Sequence, residues 1–181
     1  EDVQSGNKIS FLSVNDTIYD ISDPLKVIRS GTKMIVKLEE YMLPKTTLKI
    51  IVEWEFSFPV KTLERFGTYL KSSFFVAYWY PQIAVFDDID GWDYIDYNGT
   101  QEFYGDFNDY HCEITVPSEY IVWATGDWLN PDDILKETFL QRYNNARFSD
   151  EIVHVVTARD FKNHSRNKRK SVYKFYATNV T

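Results

Sequence analysis

The segment LKIIVEWEFSF (48–58) sets Leu48, Ile50, Val52, Trp54, Phe56 and Phe58 on alternate positions, with mostly polar residues between them. Successive side chains of a strand point to opposite faces, so this spacing describes a strand with one face on a core and the other wetter. A helix would scatter the same apolar residues around its circumference. KMIVKLE repeats the pattern, with Met34, Val36 and Leu38 alternating against Lys33, Lys37 and Glu39. KISFLSV and DTIYDI are weaker strands of the same kind, separated by a polar Asn15-Asp16 turn. YMLPKTT connects two strong strands, since Pro44 cannot donate to a central ladder. The first part of the chain therefore reads as an antiparallel β-meander.

From Lys61 the character changes. KTLERFGTY reads as a helical turn or a loop, and SSFFVAYWYP is an apolar run closed by Pro81. A loop-rich stretch over about 82–109 is crowded with Asp, Tyr, Trp and Gly. YHCEITV and YIVWATG then read as two strands joined at Pro117-Ser118-Glu119 in a hairpin-length connection. Asn130-Pro131-Asp132-Asp133 is a helix-start signal, with a capping Asn, Pro at the first position and acids where the helix dipole favours them. Leu135, Phe139, Tyr143 and Ala146 follow as one apolar stripe, predicting a short helix near 133–146. EIVHVVT reads as strand, FKNHSRNKRK as a basic solvated loop, and SVYKFYATNV as a closing strand. With no internal repeat or linker, a single domain is expected, one whose last strand runs so close to Thr181 that excision from a longer protein is the natural reading.

Composition excludes several classes. At 44% hydrophobic, the 181 residues can bury a core, so the chain is not disordered. A net charge of −7 would repel phosphate, which argues against nucleic acid and anionic membrane surfaces as partners. No apolar run approaches the roughly 18 residues of a membrane span. The lone Cys112 shares a strand face with Tyr110, Ile114 and Val116 and reads as a buried structural thiol.

Catalytic patterns are missing. The zinc-protease helix H-E-x-x-H needs two His one turn apart, but His111, His154 and His164 are widely separated, the first two in strand patterns. There is no G-x-S-x-G elbow, Walker loop or G-x-G-x-x-G. Setting Gly91 at the sixth place of an EF-hand loop puts Phe86 first and Tyr97 last, where calcium needs acids, so FDDIDGWDYIDY reads instead as a turn. In that turn Asp side chains cap backbone amides and Gly91 supplies a positive φ. A calcium site of another type in the 87–96 loop stays open, as does use of the sequons at Asn15, Asn98, Asn163 and Asn179. No catalytic residue and no metal ligand are assigned. Tyr78, Trp79, Tyr80, Trp92, Tyr94, Tyr97 and Tyr104 crowd one window, either as core or as flat platforms for a sugar ring.

The order of motifs through this window resembles the N-terminal β-domain of aminopeptidase N family zinc metallopeptidases, in particular a bacterial branch common in Bacteroidetes. The motifs are Trp79-Tyr80-Pro81, Phe86-Asp87-Asp88, Gly91-Trp92, Glu102-Phe103-Tyr104, Ile114-Thr115-Val116-Pro117 and Ala124-Thr125-Gly126. The resemblance runs over about 9–180. It implies an all-β antiparallel sandwich, saddle-like, with one short helix, and a non-catalytic role packed on a catalytic domain of the same polypeptide. Zinc and the GxMEN and HExxH motifs would then belong to that domain, leaving this chain without a cofactor or activity of its own. The peptide substrate would be met only through the parent enzyme. Members of the branch are often exported, which implies a parent in the periplasm or cell envelope. The corresponding strand end borders the substrate cleft, making Tyr78 and Gln82 cleft-edge candidates. A pocket-lining Gln of the broader family falls here on Ser72, and a Gln before the branch's WYP falls on Tyr78. Trp79, Tyr80, Pro81, Asp87, Asp88, Gly91 and Trp92 are assigned to structure. A free-standing carbohydrate-binding β-sandwich is the alternative.

Overall fold

A computed structural model describes residues 6–58, 65–69, 72–77, 79–100, 104–161 and 169–181. Among these, the chain is mostly strand in small antiparallel sheets, with three short helices. It divides into two compact units, Glu1–Tyr104 and Gly105–Thr181.

In the first unit, β1 (Lys8–Val14) lies between β2 (Thr17–Ile18) and β5 (Ile50–Glu55). The β1–β2 turn is the polar pair read from the sequence: Asn15 and Asp16 both have positive φ, as a two-residue hairpin requires. Asn15 also accepts a hydrogen bond from the Lys49 amide at 2.9 Å through its side chain, joining the turn to the approach of β5. The alternation expected over 48–58 holds in its middle, where Val52, Trp54 and Phe56 are half-buried and Ile51, Glu53 and Glu55 exposed, but Ile50 and Phe58 of the expected core face are exposed. Three two-stranded ladders follow: β3 (Val27–Ser30) with β4 (Lys33–Val36), β6 (Phe66–Tyr69) with β7 (Ser73–Val76), and β8 (Phe86–Asp87) with β9 (Gly91–Trp92). Leu12, Val14, Tyr19 and Val27 form the buried cluster, flanked by Met34, Val36, Leu48 and Val52. β6 corrects the helical-turn-or-loop reading of its segment. Phe66 and Gly67 face Val76 and Phe75 across the ladder, and this pairing fixes an extended backbone that local propensity did not reveal.

The second unit is built on β12 (Lys170–Val180), which pairs with β10 (Asn108–Pro117) on one side and β11 (Asp127–Trp128) on the other. Trp128, Leu135, Phe139, Tyr173 and Phe175 form its core, with Cys112, Ile114 and Val116 packed against them from β10. Burial alternates along β10 as the sequence predicts, but Cys112 is half-buried rather than buried, with its thiol pKa pushed up by desolvation. The expected hairpin partner is different, however. β10 pairs with the distant β12, and 120–126 is not strand. The Tyr173 hydroxyl donates to the Tyr120 carbonyl at 2.8 Å, so a side chain meets backbone demand that a ladder would otherwise meet.

The expected helix is also broken. It consists of α1 (Pro131–Ile134) and α2 (Glu137–Ala146), with Leu135 and Lys136 extended between them. The Lys136 carbonyl receives the first amides of α2, from Phe139 and Leu140. Asn130 does not cap α1 through its side chain. Its Oδ1 accepts from Trp128 Nε1 at 3.1 Å and from the Lys174 amide at 3.0 Å, and its Nδ2 donates to the Val172 carbonyl. The amide group thus substitutes for a strand residue beside β12. The strand expected at EIVHVVT is likewise irregular, and His154 lies in no strand. Arg142 donates to the Val155 carbonyl and to Asp160, which in turn caps the Thr157 amide ahead of α3 (Ala158–Phe161). Most of the basic run after Phe161 lies outside the described residues, as does Asn163.

Candidate functional site

The motif-bearing segment is held in the first unit through β5. Trp54 Nε1 donates to the Trp79 carbonyl at 2.9 Å, and the two indoles lie 6.1 Å apart. Trp79 packs edge-on to Tyr80 at 5.3 Å, and Gln82 Nε2 donates to the Tyr80 hydroxyl at 3.1 Å. Trp79, Tyr80 and Pro81 are half-buried while Gln82 is exposed, so the anchor and the reachable end of the segment are adjacent in sequence. Ser72 is exposed at the β6–β7 turn, where its amide donates to the Tyr69 carbonyl. Tyr78 lies outside the described residues. A second aromatic row continues along the β5 end, with Phe58 5.6 Å from Phe66 and 5.4 Å from Phe74.

Beyond Pro81 the acidic loop takes the turn form read from the sequence. Asp87 Oδ1 accepts from the amides of Asp90 (2.8 Å) and Ile89 (3.0 Å), and Gly91 has φ +75°. These amides, with Asp90 foremost, hold the Asp87 carboxyl below its ordinary pKa. Phe86 and Trp92 face each other across the β8–β9 ladder with rings 5.1 Å apart, and Asp88 is exposed. Among the described residues, no three His, Cys, Asp or Glu side chains gather as metal ligands. His111 stacks on Tyr176 at 4.3 Å, in the second unit.

A clasp that the sequence did not reveal ties this loop to the β3–β4 turn. Asp96 Oδ1 accepts from the Thr32 amide at 3.0 Å and from its hydroxyl at 3.2 Å, and Lys33 Nζ lies 3.2 Å away. Lys33 also donates to the Tyr94 carbonyl, and the Tyr97 amide donates to Thr32 Oγ1. Gly31 makes room: a Cβ there would stand 2.4 Å from Asp96 Oδ1. The Thr32 amide, then Lys33, lowers the Asp96 pKa. A depressed folded-state pKa means the clasp stabilises above the unfolded carboxyl value and is lost as pH falls through the folded one. The amide resonances of Thr32 and Tyr97 should therefore titrate together below about pH 4, and Asp96→Asn should abolish that step. Amides that ignore acid in the parent chain would show that the clasp does not form.

The loop presents Ile83, Phe86, Ile89, Trp92, Tyr94, Ile95 and Tyr97 largely to solvent, although the sequence allowed that its rings were core. Phe74, Phe75 and Val76 of β7 are exposed as well. Fold and site thus define a strand-rich chain that displays an aromatic surface interleaved with Asp88, Asp90 and Asp93. The chain matches no family model, no curated protein and no solved structure.

Proposed function

We propose that this chain is the non-catalytic N-terminal β-domain, of saddle-like sandwich architecture, of a zinc aminopeptidase. It packs on the catalytic domain and walls the cleft that receives peptide N-termini, with Ser72, Tyr78 and Gln82 toward the cleft edge. The observation that carries this reading is the apolar exposure of the first unit, where the 83–97 loop leaves Ile, Phe, Trp and Tyr side chains exposed and β7 exposes Phe74, Phe75 and Val76. Apolar patches of that kind mark interaction surfaces. The ordered motifs around Trp79 and Gly91 supply the partner's identity through the family resemblance. Zinc would be held by the catalytic domain, and an exported parent follows from the same resemblance.

The coding sequence beyond Thr181 tests this reading: continuation into GxMEN and HExxH supports it, and a stop codon overturns it. The isolated chain, freed of host peptidases and supplied with zinc, should not cleave aminoacyl-naphthylamides, and sustained turnover would equally overturn it. The exposure of Trp92 (46%), Tyr94 (55%) and Tyr97 (43%) favours one other reading, a carbohydrate-binding module whose rings stack on sugar faces. Sugar-dependent retardation in affinity gels, lost in Trp92→Ala, would select it.

A further inference from the structure

Among the described residues, β10 is an edge strand of the β10-β12-β11 sheet, ten residues long from Asn108 to Pro117. A strand in this position offers a row of backbone donors and acceptors, and proteins commonly blunt such edges with Lys, Pro or a bulge. β10 has no Lys or Arg, its only Pro is its last residue, and its irregularity falls at the Asn108 end. Its half-buried row of Tyr110, Cys112, Ile114 and Val116 brings the apolar layer of the sheet out to this rim. We infer that β10 pairs with β10 of a second copy of this chain, antiparallel and centred on Cys112, joining two three-stranded sheets into one.

Charge selects the register. Opposed residues of an antiparallel pair share a face, so a symmetric pairing must centre on a residue. Centring on Glu113 sets that carboxylate against itself. Centring on His111 sets Asp109 against Glu113 of the second copy, twice over. Like charges directly opposite are unfavourable. Centring on Cys112 opposes His111 to Glu113 of the second copy, twice, Asp109 to Thr115, and Tyr110 to Ile114. No like charges meet, and registers centred nearer either end pair fewer residues. The exposed face is already arranged for this, since Tyr176 stacks on His111 and Lys174 lies 3.2 Å from Glu113 within each copy. Neither the peptidase nor the carbohydrate reading is needed for this pairing.

Sedimentation velocity on the intact chain at micromolar concentration should show a dimer. His111→Glu, which opposes carboxylates twice over, or Glu113→Lys, which removes the acceptor facing His111 twice over, should each weaken it about tenfold or more. The double variant His111→Glu/Glu113→Lys should restore it, which separates lost pairing from a misfolded single variant. Diamide, taking up the hydrogens of the two thiols, should link Cys112 to Cys112 in the parent chain and the double variant, since directly opposed strand positions fall within disulfide reach. A monomeric parent chain overturns the inference, whether the edge is bare or taken by a different polypeptide. So does a dimer that survives both single reversals, or one that diamide does not link through Cys112.

Discussion

Replacing Trp128 with alanine should leave the second unit without a stable core. Trp128 is 6% exposed and is the centre of its ring cluster. It stacks at 5.4 Å on Tyr173 and 6.0 Å on Phe175 of β12, and meets Tyr143 of α2 edge-on at 5.5 Å. Its indole N–H also donates to Asn130, the residue whose amide bridges to Val172 and Lys174. Truncating a buried Trp costs about 3–5 kcal/mol, against a total stability of about 5–15 kcal/mol for an ordinary domain. The loss here also frees one acceptor of the Asn130 bridge. Amide exchange in β12 should accelerate to near the unfolded rate, and the near-ultraviolet circular dichroism of the cluster should collapse. Trp92→Ala is the contrast, since Trp92 is half exposed beside Phe86 and its removal should change stability far less. If β12 amides in Trp128→Ala keep their protection, the cluster is not what holds this unit together.

How much of this was legible in the sequence depended on whether a segment satisfied its own backbone in a regular ladder. β5, β10 and β12 were legible because each alternates apolar and polar residues over a long run, and a period of two has no other simple reading. YIVWATG and EIVHVVT are as apolar as those strands and still irregular. Their carbonyls are taken by side chains from remote positions, the Tyr173 hydroxyl at Tyr120 and the Arg142 guanidinium at Val155. Such partners leave no local pattern. The break between α1 and α2 was hidden because Leu135, Phe139 and Tyr143 keep helical spacing straight through it, with no Gly or Pro to mark it. Asn130 misled for the opposite reason: its type and place fit a cap, while Val172 and Lys174 of β12 and the indole of Trp128 in β11 offered three better partners.

In the candidate site, the Asp87–Gly91 turn was legible because the amides that Asp87 caps, those of Ile89 and Asp90, lie within three residues and Gly91 supplies the positive φ; its further bond with the Tyr104 side chain left no such local trace. The Asp96 clasp was not, because it spans 64 positions to Thr32. Gly31 was its only local trace, and a glycine in a two-residue hairpin turn already has a sufficient reason to be there. Aromatic crowding over 78–104 marked the region, but crowding alone does not divide rings between core and surface. Trp54 anchors one end through its bond to the Trp79 carbonyl, and the 83–97 loop buries Val85 while leaving its large aromatic and isoleucine side chains exposed.

Gly126→Ala should be costly out of proportion to the single methyl group it adds. Gly126 has φ +94°, where an L-residue is strained, and it passes directly over β12. A Cβ there would stand 2.3 Å from the Tyr176 carbonyl oxygen and 2.7 Å from Ala177 Cβ. Neither can yield easily. Tyr176 and Ala177 belong to the central strand, paired with His111 and Tyr110 on the β10 side, while Asp127 pairs with Tyr176 on the other. Relief must come from β11 moving away, and that lifts Trp128 off Phe175, its partner in the ladder. The backbone contributes about 1–2 kcal/mol and the overpacking about 1–3 kcal/mol, and here the two act on the same turn. Gly99→Ala separates them: Gly99 has φ +80° but nothing within 4 Å of the added Cβ, so only the backbone strain applies. Denaturant titration should place Gly126→Ala well below Gly99→Ala in midpoint, with Trp fluorescence reporting a displaced Trp128. Equal midpoints for the two variants would mean that Gly126 does not press against β12, and that the β11–β12 pairing seating Trp128 is looser than its register implies.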